Sequence, residues 1–180
     1  TRGIESLLRK NKVDVVNSEA RLISSDKVAF NNGLDTITAP RIILATGARP
    51  RLVPELLVDG GRVVTSREAI EQRDVPPHIV IVGGGSIAVE FATIYNSYGA
   101  QVTVVEMLSR LVPNEDEEIS SQLKKALMRR GISVLTDSTI KGFFAGDNSY
   151  VKISNGNGVV ELPCDRLLVA VGIEPNIDGL

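Results

Sequence analysis

The apolar positions follow two rhythms, and the change between them marks most elements. Ile79-Val80-Ile81-Val82 is a continuous β-branched run, the pattern of a strand buried on both faces of a parallel sheet. Gly83, Gly84 and Gly85 follow, and then the period lengthens. Ile87, Phe91, Ile94, Tyr95 and Tyr98 recur at three- and four-residue spacing, which predicts a helix burying that face. Gly99 ends it, and 102–105 (VTVV) gives a second buried strand closed by Glu106. After Pro113, the acids 115–118 open a second helix with Ile119, Leu123 and Leu127 as its expected apolar face. Gly131 caps that helix, and 132–135 supplies a third parallel strand. The segments 140–144, 150–153 and 159–162 read as a β-meander, with Asn155-Gly156 as one turn. Residues 167–171 form a last buried strand ending at Gly172.

Ahead of this region the signals are shorter. Ile4, Leu7 and Leu8 suggest a helix ending in the bases Arg9, Lys10 and Lys12. Strands are predicted at 13–16, 20–24, 27–30 and 34–38, with Asn31-Asn32-Gly33 as a hairpin signal, and a buried strand at 41–45 leads into Thr46-Gly47. Pro50 and Pro54 punctuate a connection. Thr65, with Glu68 three residues on, starts a short helix before Pro76 and Pro77.

Composition narrows the chemistry. Twenty basic and 22 acidic residues leave a net charge of −2, with a sequence pI of about 5.5, which argues against a nucleic-acid surface. No membrane partner is expected either, since no run of about 18 apolar residues occurs, and residues 1–12 lack the apolar stretch of a signal peptide. One cysteine, Cys164, excludes an internal disulfide and any Cys-x-x-Cys motif. One histidine, His78, gives a Ser-His-Asp or Cys-His unit little to work with. Cys164 is expected to be a packed thiol, His78 a strand-end residue, Tyr95 and Tyr98 helix packing, and Asp116, Glu117 and Glu118 a helix start; no metal site is expected.

The unit from His78 to Glu106 is therefore where chemistry is sought. Its turn reads Gly83-x-Gly85-x-x-Ala88. The first glycine permits the tight turn, the second lets the backbone approach a pyrophosphate, and Ala88 lets helix and strand pack closely. Glu106 lies about twenty residues on, where a carboxylate accepts hydrogen bonds from ribose hydroxyls and repels a 2′-phosphate. NAD(H) is the expected ligand over NADP(H).

Five stretches, in order, carry a family resemblance: GIESLLRKNKV, IILATGARPR, IVIVGGGSIAVEFA, VVEMLSRLVPNEDEEISSQLKKALMRRGI and LLVAVGIEPNIDGL. The chain resembles the middle portion of the dihydrolipoamide dehydrogenases, within the flavoprotein disulfide reductases. The resemblance implies an α/β fold: a Rossmann-like NAD-binding domain with a parallel sheet and a β-meander, plus a partial FAD-domain strip of short antiparallel strands. The expected segments are a partial FAD-binding domain at 1–50, a connection with a short helix at 51–77, the NAD-binding domain at 78–172, and a return crossing toward the FAD domain at 173–180.

By the same resemblance Gly83, Gly85, Ser86 and Ile87 hold the NAD pyrophosphate, and Glu106 the ribose. Ile140 packs against adenine, Gly172 lies near the nicotinamide end, and Gly47 contacts FAD through its backbone. Glu90 matches a supporting carboxylate near nicotinamide and flavin, whose lysine partner would lie ahead of Thr1. Ile173 stands where many relatives carry arginine, and Ser86 where NADPH-using relatives often carry an aromatic. The implied activity is reoxidation of dihydrolipoyl groups through a redox disulfide and FAD, with hydride passed to NAD+. The implied partners are a lipoyl-bearing acyltransferase or carrier protein and a homodimer mate, in the cytoplasm of a bacterium or the mitochondrial matrix. The family's FAD glycine turn, Cys-x-x-x-x-Cys pair and His-Glu pair have no match here, so the chain is expected to be an excised piece, inactive alone. Two other readings stay open: a related NAD(P)H-dependent disulfide reductase (mercuric, glutathione or coenzyme A disulfide), and a free-standing nucleotide-binding module without redox chemistry.

Overall fold

The protein is described by a computed structural model covering residues 2–180; Thr1, the first residue of the expected segment 1–50, lies outside the described residues. The chain divides into two compact units, Thr1–Gly47 with Pro175–Leu180, and Ala48–Glu174.

In the first unit, helix α1 (Arg2–Lys10) closes where Lys12 takes a positive φ of 55° and the Val13 N–H reaches the Leu8 carbonyl at 2.9 Å. Three antiparallel strands follow, β1 (Ala20–Ser24), β2 (Lys27–Phe30) and β3 (Asp35–Thr38), in the order β1-β2-β3. Asn31, Asn32 and Gly33 all take positive φ between β2 and β3, conformations that Asn and Gly tolerate. Two expected strands do not form. Residues 13–16 and 41–45 pair with no strand among the described residues, and Ile43 is 91% exposed. A β-branched run supplies propensity, but a strand needs a neighbour to take its ladder hydrogen bonds.

In the second unit, β4 (Ala48–Pro50) pairs with a strand at 173–175. Next come β5 (Val63–Thr65) and the short helix α2 (Ser66–Ala69). The stretch 51–77, read from the sequence as a connection with a short helix, thus also carries an edge strand of the main sheet. Then follow β6 (His78–Val82), α3 (Ser86–Ser97), β7 (Gln101–Val105), α4 (Glu117–Arg129) and β8 (Ser133–Leu135). The meander is β9 (Thr139–Phe144), β10 (Tyr150–Asn155) and β11 (Gly158–Pro163), before β12 (Arg166–Val169) and β13 (Ile173–Pro175). The five-stranded sheet has the order β5-β12-β6-β7-β8, and every pair in it is parallel.

Alternation along each strand divides the core into two layers. Ile79, Ile81, Val102, Val104 and Leu168 face the helices, with Ala88, Ala92, Tyr95 and Leu127 packed on them. Val80, Val105, Leu167 and Val169 face the meander, meeting Val151, Ile153 and Cys164. Each such aliphatic side chain contributes about 1.5–3 kcal/mol by leaving water, so the sheet's two faces hold this unit together.

Two helix faces differ from the sequence pattern. On α3 the buried positions are Ala88, Ala92 and Tyr95, whereas Ile94 is 46% and Tyr98 72% exposed. Small residues let α3 lie close on β6 and β7, and that close approach outweighs the apolar count of the neighbouring stripe. On α4 the buried face is Ser120 and Leu127 with Leu123 partly buried, and Ile119 points outward. Ser120 can be buried because its hydroxyl donates to the Leu111 carbonyl at 2.6 Å.

The N-terminus of α2 is fixed by a capping box. The Thr65 N–H and hydroxyl donate to Glu68 Oε2 at 2.8 and 2.6 Å, and the Thr65 hydroxyl accepts from the Arg67 N–H at 3.3 Å. The Thr65 hydroxyl holds the Glu68 carboxyl below its usual range, against an opposing pull from burial. A depressed folded pKa contributes stability above the unfolded value that is lost as pH falls through the folded one. Thr65→Ala is expected to cost about 1 kcal/mol near neutrality. In urea unfolding, the difference from the unaltered chain should shrink as pH drops below the carboxylate range; a constant difference would count against the cap. A second expectation concerns Cys164, which is 1% exposed and whose thiol burial pushes up to about 12. It should ignore a disulfide-exchange reagent at neutral pH until denaturant is added, and rapid labelling of the folded chain would contradict this packing.

Candidate functional site

A cleft of about 580 Å³ opens at the carboxyl ends of β6, β7 and β12, where a doubly wound parallel sheet takes its ligands. Its floor is the glycine turn. Gly83 has φ 109°, and its N–H donates to the Val105 carbonyl at 2.8 Å. A Cβ there would overlap the Ala170 carbonyl oxygen and stand 2.8 Å from its carbon, so the position admits only hydrogen. Gly85 differs: its backbone is extended (φ −76°, ψ −176°), and a Cβ on it would meet no protein atom within 4 Å. The space beside Gly85 belongs to the cleft.

Gly85 is also the N-cap of α3 and offers no side chain to cap it. The first N–H groups of this 12-residue helix meet no capping side chain, and the positive end of the helix dipole lies at the turn. Backbone donors, a bare approach and a dipole of the right sign suit an anionic group such as a pyrophosphate.

Glu106 follows the last residue of β7 and is 6% exposed. Its Oε1 accepts the Leu108 N–H at 2.7 Å, its own N–H donates to the Leu135 carbonyl at 2.8 Å, and its carbonyl accepts from the Ser138 N–H at 3.0 Å. One bond thus holds the carboxylate itself, and two hold the backbone that carries it at the wall. Met107, Leu108, Pro113 and Asn114 continue that wall, and Ser138 and Ile140 form the next. Gly172, with φ 113°, borders the cleft on the β12 side, where its carbonyl takes the Arg51 N–H at 2.9 Å.

Of the residues singled out from the sequence, Gly83, Gly85, Ser86, Ile87, Glu106, Ile140 and Gly172 line this one cleft. Glu90 does not: it sits exposed on α3, one turn past the residues that face the cleft. Gly47 belongs to the other unit, where its carbonyl accepts the Asn176 N–H at 3.0 Å. Sequence reasoning missed Gly84, Pro113, Asn114 and Ser138. The run of three glycines was the signal for Gly84; the other three stand in loops whose path the pattern does not give.

The remaining candidates have structural partners. Asp116 caps α4 by accepting the Glu118 N–H at 2.8 Å. His78 Nδ1 lies 3.0 Å from Asp165, at the end of the sheet where β6 begins. No group of three or more His, Cys, Asp or Glu suited to a metal ion occurs among the described residues.

The chain also has known relatives. The family model described as pyridine nucleotide-disulphide oxidoreductase matches residues 1–180. A dihydrolipoyl dehydrogenase from Chlorobaculum parvum is 40% identical over 100% of this chain and 39% of its own length. Among solved structures, LpdA from Mycobacterium tuberculosis superposes with a TM-score of 0.81 at 27% identity, over 99% of this chain and 40% of that one. The flavoprotein disulfide reductase RclA from Escherichia coli does so with a TM-score of 0.78 at 26% identity, over 99% and 40%. The chain thus spans about 39–40% of the length of these proteins. A match over the whole chain, with the glycine turn and carboxylate of a dinucleotide cleft in place, makes it a member of the pyridine nucleotide-disulphide oxidoreductase family.

Proposed function

We propose that the chain binds NAD(H) in this cleft and serves as the pyridine-nucleotide station of a dihydrolipoyl dehydrogenase. The observation that carries the reading is the buried Glu106 carboxylate, held on the wall next to a glycine turn that is open at Gly85.

NAD+, when bound, supplies the ring that takes the hydride leaving the family's flavin. The chain's own residues bind and orient. The α3 N-terminus and the Gly85 backbone take the pyrophosphate. Glu106 accepts from the ribose hydroxyls and, being anionic and buried, disfavours a 2′-phosphate. Ile140 covers the adenine, and Gly172 leaves room at the far end of the cleft. Sequence identity of 40% to a dihydrolipoyl dehydrogenase supports that substrate class over the other disulfide reductases. By the same reading, FAD, a lipoyl-bearing acyltransferase or carrier protein, and a homodimer mate belong to the complete enzyme.

In a titration followed by NADH fluorescence, the unaltered chain should bind NADH more tightly than NADPH, and Glu106→Arg should shrink or reverse the preference. Tighter NADPH binding by the unaltered chain would sink the ribose assignment. The two turn glycines should also part company. Gly83→Ala should weaken binding and lower the melting temperature, since its Cβ meets backbone and its φ is positive. Gly85→Ala should weaken NADH binding while leaving the melting temperature nearly unchanged. Unchanged NADH affinity in Gly85→Ala would show that the open space is not where the phosphates sit.

A further inference from the structure

The middle glycine of the turn, Gly84, has no contact assigned to it in the coenzyme reading, yet two side chains crowd the place where its Cβ would stand. A Cβ at Gly84 would stand 2.9 Å from Glu106 Oε2, 3.0 Å from Glu106 Cγ and 2.8 Å from Leu111 Cδ2. Its backbone lies outside the left-handed region, so conformation alone does not call for glycine there. What calls for it is the carboxylate lying against its α-carbon.

We propose that Gly84 is a positioning residue for coenzyme choice: its missing side chain lets Glu106 lie on the turn, where the carboxylate discriminates between a 2′-hydroxyl and a 2′-phosphate. The inference rests on the NAD(H) reading of the cleft and deepens it.

The backbone at Gly84 cannot retreat. On one side Gly83 is pressed against the Ala170 carbonyl, and the Gly84 carbonyl is taken by the Val112 N–H at 2.8 Å. That clasp is itself stiff. Val112 is β-branched yet has φ 39°, a conformation that persists only where its surroundings impose it. The neighbours do so: Ser120 holds the Leu111 carbonyl at 2.6 Å, Arg110 holds the Pro113 carbonyl at 2.8 Å, and the Glu115 N–H holds the Val112 carbonyl at 2.9 Å. A methyl group at position 84 therefore displaces what can move, the ends of the Glu106 and Leu111 side chains. Oε1 is tethered to the Leu108 N–H, so swinging the carboxylate away breaks that bond or moves the loop carrying Met107 and Leu108. Either way the acid leaves its place. The pyrophosphate side, at Gly85 and the α3 N-terminus, is not in the path of this methyl group.

The test compares NADH and NADPH dissociation constants for the full chain, Gly84→Ala, Glu106→Gln and the double variant, with melting temperatures alongside. The NADH-over-NADPH preference should fall by about tenfold or more in Gly84→Ala, a factor that general loss of fold or of pyrophosphate binding, common to both coenzymes, does not produce. In the Glu106→Gln background, Gly84→Ala should leave the ratio nearly unchanged, because the residue acts through the carboxylate. An unaltered ratio in Gly84→Ala, or an equal fall in both backgrounds, overturns the proposal. Should Gly84→Ala not fold, Gly84→Ala with Leu111→Ala removes the overlap with leucine, keeps the one with Glu106, and carries the same expectation. Failure of the unaltered chain to bind either coenzyme overturns the NAD(H) reading instead, and is recognised before any variant is compared.

Discussion

One close approach governs the second unit: the α-carbon of Gly83 against the carbonyl of Ala170. It joins the end of β6 to the end of β12 across the middle of the sheet, with the Ala170 N–H on the Val82 carbonyl at 2.8 Å beside it. Parallel register then brings the carboxyl ends of β6, β7 and β12 to one edge. Each strand contributes its next residues there: the glycine turn, Glu106, and the segment from Ala170 to Gly172. The cleft is a consequence of parallel pairing plus one position where no side chain fits.

The layers on either side set its walls. Ala88 and Ala92 let α3 lie close, which aims its first turn at the strand ends. On the other face the meander closes the cleft through Ile140, and Val53 and Leu56 line it from the segment before β5. Backbone strain gathers in the connecting loops. Val112 (φ 39°) and Asp137 (φ 51°) hold left-handed conformations beside cleft residues, in loops tied to the β-strand ends by the Val112–Gly84 and Ser138–Glu106 hydrogen bonds. Strained residues at a wall that must keep its shape fit a preformed site.

What could be read from the chain without coordinates follows from local rules. The run Ile79-Val80-Ile81-Val82, the glycine turn, the strand before Glu106 and the Thr65–Glu68 cap each depend on a few neighbouring residues, and each appears as an element or contact of the predicted kind. What escaped depends on distant partners. Thr65 reads only as the start of a helix, and Val63–Thr65 becomes a strand because β12 lies alongside it. Residues 41–45 have the composition of a buried strand and no ladder beside them. Ile94, Tyr98 and Ile119 carry the apolar period, but Ala92 and Ser120 take the buried places, because close packing and one hydrogen bond to Leu111 decide those faces. Gly84 was visible only as the middle of three glycines; its crowding involves Glu106 and Leu111, more than twenty residues away.

The same geometry limits what these residues do chemically. Disulfide exchange needs a thiolate that can reach its partner, and the sequence contains one cysteine. Cys164 lies under the meander, donates its thiol to the Arg166 carbonyl at 3.1 Å, and is pushed by burial up to about 12. It is protonated at any physiological pH and closed to a second sulfur. Thiol chemistry therefore does not pass through this residue. A cleft built from backbone donors, one anchored carboxylate and rigid strand ends is suited to holding an anionic ligand still. In the NAD(H) reading proposed above, coenzyme selectivity depends on where the single Glu106 carboxylate rests.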